Sequence, residues 1–70
     1  MEEIKAAMAG TVFKIMVKEG QDVLKGQTVV VLESMKMEIP VDSPSAGNVA
    51  TLKVAEGDFV NEEDVLIVLE

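Results

Sequence analysis

"MAGTVFKIMVKEGQDVLKGQTVVVLE", residues 8–33, returns further along the chain as "SAGNVATLKVAEGDFVNEEDVLIVLE", residues 45–70. A constant offset of 37 aligns the two stretches without a gap, and ten of the 26 positions are identical. The identities include Gly10/Gly47, Val17/Val54, Gly20/Gly57, Val23/Val60 and Leu32/Leu69. Other positions exchange one apolar residue for another, such as Ile15/Leu52 and Val30/Ile67. This is an internal duplication. Two copies are too few to stack as a solenoid, so they are expected to close on each other.

Each copy reads as β structure. "TVVVLE" and "DVLIVLE" are rich in β-branched residues and follow the turn-like "KGQ" and "NEED". "TVFKIMV" is ambiguous alone, because Val12, Ile15 and Met16 would also share one helical face. The second copy decides the matter: in "NVATLKV", Leu52 and Val54 alternate with Thr51 and Lys53. The alternation slips between Val49 and Leu52, which predicts a β-bulge there and at Val12–Phe13. "KEGQD" and "AEGDF" place Gly20 and Gly57 where a turn requires positive φ. Short strands punctuated this often predict an all-β domain. The expected form is two small antiparallel sheets packed as a flattened barrel or sandwich, with an internal pseudo-two-fold axis.

The bulk properties bound the function. Seventy residues make one domain, 1–70. Cysteine and histidine are both absent, which removes disulfides, thiolate metal sites and the usual general base near neutral pH. A formal charge of −7 opposes binding to nucleic acid or to an anionic membrane surface. The only aromatic residues are two phenylalanines, so base stacking has little to work with. The acidic start "MEEIKAAMAG" lacks the apolar core of a signal peptide, and the longest apolar run, "VLIVL" at residues 65–69, is too short to span a bilayer. These features predict a cytoplasmic protein. An independent enzyme is disfavoured, and a carboxylate pair such as Glu62 and Glu63 reads as a solvated turn.

Between the copies lies "SMKMEIPVDSP", residues 34–44. Val31–Glu33 is expected to run out along one strand and Glu38–Val41 to run back, leaving Met35 and Lys36 at the turn. Tight hairpins prefer Asn, Asp or Gly there, and this one has none. A position that ignores local preference is a candidate functional site. A single lysine is ordinarily a solvated charge, and methionine ordinarily fills gaps in a core. Residues flanking a turn cannot all point inward, however, so at least one of Met35 and Met37 is expected to be exposed.

"ESMKMEI", residues 33–39, resembles the attachment signature of biotinyl (biotin carboxyl carrier) domains, in the biotin/lipoyl attachment family. The likeness covers nearly the whole chain: the duplicated halves 8–33 and 45–70, the "AG" that opens each, the "EG" turns and the hairpin 34–44 midway. The resemblance implies that Lys36 carries biotin in amide linkage and that Met35, Met37 and Glu33 are read by a biotin protein ligase. It further implies a carrier that serves a biotin carboxylase and a carboxyltransferase, the biotin ring taking up a carboxyl group at one and releasing it at the other. The domain would thus be a ligase substrate and not itself an enzyme.

A hairpin tip on a rigid barrel suits that role, because it exposes one residue and fixes its direction. Tethering then raises the effective concentration of the arm at both active sites. Lysine side chains carry their proton at neutral pH, so deprotonation and positioning fall to the ligase.

Further readings follow from the same residues. Lipoyl domains are similar in fold and carry their lysine at the same hairpin, usually preceded by aspartate and followed by a small residue. Met35 and Met37 favour biotin, while lipoate, or both groups, stays possible. An unmodified β interaction module would explain the duplication but not the Met-Lys-Met turn. Some biotinyl domains carry a protruding thumb in the first half, and the gapless alignment leaves no room for one. The Ala/Pro-rich linker that often precedes such domains in large carboxylases is not in these residues, which fits either a freestanding carrier or an excised terminal domain.

Overall fold

β-branched and aliphatic residues at alternate positions, cut every few residues by turn formers, produce eight strands and no helix among the described residues, 2–70, of this computed structural model. The strands are β1 (Glu2–Lys5), β2 (Gly10–Ile15), β3 (Asp22–Val23), β4 (Thr28–Ser34), β5 (Met37–Asp42), β6 (Gly47–Leu52), β7 (Phe59–Val60) and β8 (Val65–Leu69). They form two antiparallel four-stranded sheets, in the orders β1-β8-β6-β3 and β5-β4-β2-β7. Neither sheet belongs to one copy of the repeat: β2 pairs with β7, β3 with β6 and β1 with β8. The copies are interleaved, and each completes the other's sheet.

The pseudo-two-fold axis can be followed bond by bond. The amide of Gly20 donates to the Val49 carbonyl at 2.8 Å, and that of Gly57 donates to the Val12 carbonyl at 2.8 Å. The Ile15 amide is capped by Glu56 Oε2 at 3.0 Å, and the Leu52 amide by Glu19 Oε2 at 3.0 Å. The expected bulges are present, with register shifts between Val12 and Lys14 and between Val49 and Thr51. Gly20 and Gly57 adopt φ of 90° and 96°, as their turns require. The correspondence runs beyond the copies visible in the sequence, because β1 is the counterpart of Ile39–Asp42 in β5. The Ala6 amide donates to the Asp64 carbonyl at 2.9 Å, and the Ser43 amide to the Gln27 carbonyl at 2.8 Å, again 37 residues apart.

The core lies between the sheets. Val29, Val30 and Leu32 of β4 meet Leu66, Ile67 and Leu69 of β8, with Val12, Val49, Val23 and Val60 closing the sides. Two glycines admit close backbone approaches. A Cβ on Gly10 would stand 2.9 Å from the Glu33 carbonyl oxygen, and one on Gly47 would stand 3.2 Å from that of Glu70.

This arrangement fixes the ends of the molecule, which measures 31 × 19 × 18 Å. β2 starts beside Glu33 and Ser34, at the hairpin end, and the chain from it reaches Val49, which pairs with Leu69. β6 makes the reverse journey, from beside Glu70 to the turn at Gly57 that meets Val12. The β4–β5 hairpin and the pair Glu2/Glu70 therefore occupy opposite ends.

Candidate functional site

Ser34 of β4 pairs with Met37 of β5, so only Met35 and Lys36 form the turn. Both have positive φ, 52° and 64°, the combination of a type I′ two-residue hairpin. This backbone matches the right-handed twist of the flanking strands, which is why the hairpin closes this way. The left-handed region costs a residue with a Cβ about 1–2 kcal/mol. Asn-Gly would avoid most of that cost, and the chain places Met-Lys there instead. The strain is upheld by the six-residue register of β5 against β4, from Ser34↔Met37 down to Thr28↔Asp42.

The turn presents its side chains to solvent. Lys36 is exposed, Met35 is 90% exposed and Met37 is 65% exposed. Neither methionine fills the core, so both stand on the surface beside the lysine. In a two-residue hairpin the closing pair, Ser34 and Met37, is hydrogen-bonded, and the pairs alternate from there. Glu33 and Glu38 thus form a non-hydrogen-bonded pair, the closer of the two spacings, as do Val31 and Pro40. Pro40, without an N–H, sits where no ladder bond is needed and blunts the free edge of β5.

Glu33 and Glu38 are both exposed and lie on one face, one step below the turn. Other surface carboxylates have structural work. Glu19 and Glu56 cap backbone amides, and Asp58 and Asp64 accept from the Ala55 and Asn61 amides at 2.9 and 2.8 Å within their own turns. Glu33 and Glu38 take part in none of these bonds.

The structure thus brings together all four residues singled out in the sequence: Glu33, Met35, Lys36 and Met37. The hollows of the surface lie elsewhere, such as the one lined by Glu2, Ser45, Leu69 and Glu70. No group of three or more acidic side chains is placed to hold a metal ion among the described residues. The hairpin is a presenting arm, not a pocket. It can deliver one amine, and whatever is joined to it, to the active site of another protein. Glu38 is the neighbour that the sequence signature did not single out; its register opposite Glu33 follows once the turn is known to hold only two residues.

Comparison with known proteins shows the family. The family model described as "Biotin-requiring enzyme", for the biotin/lipoyl family, matches residues 2–69. The biotin/lipoyl attachment protein of Bacillus subtilis is 52% identical over 66 residues, 94% of this chain and 90% of that one. The "biotinylated protein TB7.3 homolog" of Mycobacterium leprae is 40% identical over 68 residues, 97% of this chain and 96% of that one. Among solved structures, a single-chain, multi-domain long-chain acyl-CoA carboxylase superposes with a TM-score of 0.88 at 35% identity, covering 94% of this chain and 6% of that one. With its interleaved β halves and the lysine at the hairpin between them, the chain belongs to the biotin/lipoyl attachment family.

Proposed function

We propose that Lys36 is the biotin attachment residue of a biotin carboxyl carrier. The observation that carries this reading is the type I′ turn, which accepts strain at Met35 and Lys36 to hold an exposed amine at the end opposite Glu2 and Glu70. The fit to biotin rests on the same geometry. A long side chain at an exposed tip can take a further acyl arm without disturbing the core. Biotin, when bound, supplies a ureido ring that accepts and gives up a carboxyl group.

The roles of the chain's own residues follow. A biotin protein ligase removes a proton from the Lys36 ammonium. The Nζ lone pair then attacks the activated acyl carbon of biotin, the leaving group departs with its bonding pair, and the second proton is lost as the amide forms. Met35 and Met37 flank that amine as apolar contacts, and Glu33 marks the approach. The domain does no chemistry itself; it positions and transports between a biotin carboxylase and a carboxyltransferase. Homology to the acyl-CoA carboxylase domain supports the carboxylase context.

Replacing Lys36 by Arg keeps the charge and the turn and removes the nucleophile. The variant is expected to fold normally and to take no biotin from the ligase, and biotin on the variant would refute the assignment. A second reading, lipoate on the same lysine, is favoured by one observation, the 52% identity to a biotin/lipoyl attachment protein. Labelling with each ligase in turn separates the two.

A further inference from the structure

The pseudo-two-fold axis provides an internal control on the surface. Positions 37 residues apart meet the same backbone demands, so a chemical difference between them at exposed sites is not required by the fold. The outer face of the lysine-bearing sheet carries the row Glu38–Glu33–Thr11–Phe59 across β5, β4, β2 and β7. Opposed residues in antiparallel strands share a face, so Phe59 projects on the same side as the two glutamates. It is 67% exposed. Phe13, the extra residue of the β2 bulge, is 49% exposed. The equivalent positions on the other sheet are Asp22 and Ala50. There the surface satisfies itself, with Asn48 Nδ2 donating to Asp22 Oδ1 at 3.0 Å and to the Gly20 carbonyl at 2.8 Å. The chain's only two aromatic residues thus stand exposed where their counterparts are acidic or small.

We infer that this face is the docking surface for the enzyme that acylates Lys36, with Phe59 as its apolar anchor. The inference rests on the carrier reading above. Two features single out the ligase. The row that ends at Phe59 is continuous with the hairpin, starting one register step below the pair that closes the turn. Reaction at Nζ needs the acyl carbon within about 3.5 Å of the amine, so the ligase must cover the hairpin and its flank. Enzymes acting later react with the ring at the far end of the arm and need not bring their reacting atoms to Nζ itself. Charge supplies the second criterion. Glu33 and Glu38 are opposed like charges, and the chain carries −7 overall. The fitting partner surface is an apolar recess for an aromatic ring, bordered by lysine or arginine side chains.

The test uses the fold's own substitutions. Phe59→Asp installs the residue found at the equivalent position, and Phe13→Ala does the same for Ala50. Asp22→Phe on the opposite face is the control. Steady-state biotinylation by the ligase is measured for each, with thermal melting alongside. Phe59→Asp is expected to lower kcat/KM at least about tenfold, chiefly through KM, with Phe13→Ala showing a smaller loss and Asp22→Phe none. Once fully biotinylated, each variant is expected to support wild-type carboxylase turnover.

Equal kcat/KM for wild type and both phenylalanine variants would overturn the docking face while leaving the carrier reading intact. So would a loss confined to carboxylase turnover, an equal loss in Asp22→Phe, or sedimentation showing that Phe59 joins two copies of this chain. A wild-type chain that takes no biotin would overturn the carrier reading and this inference together.

Discussion

Glu33 and Glu38 face one another across the β4–β5 hairpin, one register step below the turn that presents Lys36. They occupy a non-hydrogen-bonded pair, the closer spacing of an antiparallel ladder, and carry the same charge. Like charges so placed destabilise a sheet. The hairpin therefore carries two local conflicts, the opposed carboxylates and the left-handed turn, and both lie within four residues of the lysine.

Neutralising one member of the pair should stabilise the fold. Glu38→Gln is expected to raise unfolding free energy by about 0.5 kcal/mol in urea titrations at low salt. The gain should shrink as salt rises, because exposed charges are screened. A variant less stable than wild type at low salt would show that the carboxylates are not in conflict.

Met35→Asn addresses the turn. Asparagine tolerates positive φ better than methionine, so equilibrium unfolding should report a gain of about 1 kcal/mol. Biotinylation by the ligase should slow at the same time, since the exposed thioether is lost. A stabilised variant labelled at the wild-type rate would leave Met35 without a part in recognition.

The axis makes paired predictions for the core. Val12 and Val49 are each 1% exposed, and Val→Ala at either should cost about 2 kcal/mol through transfer and cavity terms. Val17 and Val54 break the pairing, because Val17 is buried and Val54 only partly so. Val17→Ala should be the more damaging of that pair, and urea midpoints of the four variants check the order.

Gly10→Ala would push a Cβ to 2.9 Å from the Glu33 carbonyl oxygen, against 3.2 Å from the Glu70 oxygen for Gly47→Ala. Moving β2 away from the base of the hairpin should cost about 1–3 kcal/mol. Gly47→Ala, with its wider approach, should cost less. Amide hydrogen exchange should show protection lost first at Leu32 and Ile39 in Gly10→Ala.

Much of this is legible in the sequence, for identifiable reasons. The gapless offset exposes the duplication, the slipped parity at Val49–Leu52 exposes the bulges, and the glycines at 20 and 57 expose turns, because each is a strict local demand. The Met-Lys turn is visible as a broken rule. The match between β1 and β5 is not legible, since those strands have no identical residue in register and share little beyond the buried pair Ile4 and Val41. Nor is the outward placement of Phe59. β7 has only two residues, too few to show a period, and its face follows from pairing with β2. Asp22, opposite it in the repeat alignment, is the one signal of its exposure that the sequence contains.

Peptide mapping by tandem mass spectrometry, on the protein coexpressed with biotin and lipoate ligases, bears most directly on the assignment of Lys36. The expected result is a single biotinyl group on Lys36 and none on Lys5, Lys14, Lys18, Lys25 or Lys53. Biotin on any of those five, or none on the chain, would contradict it.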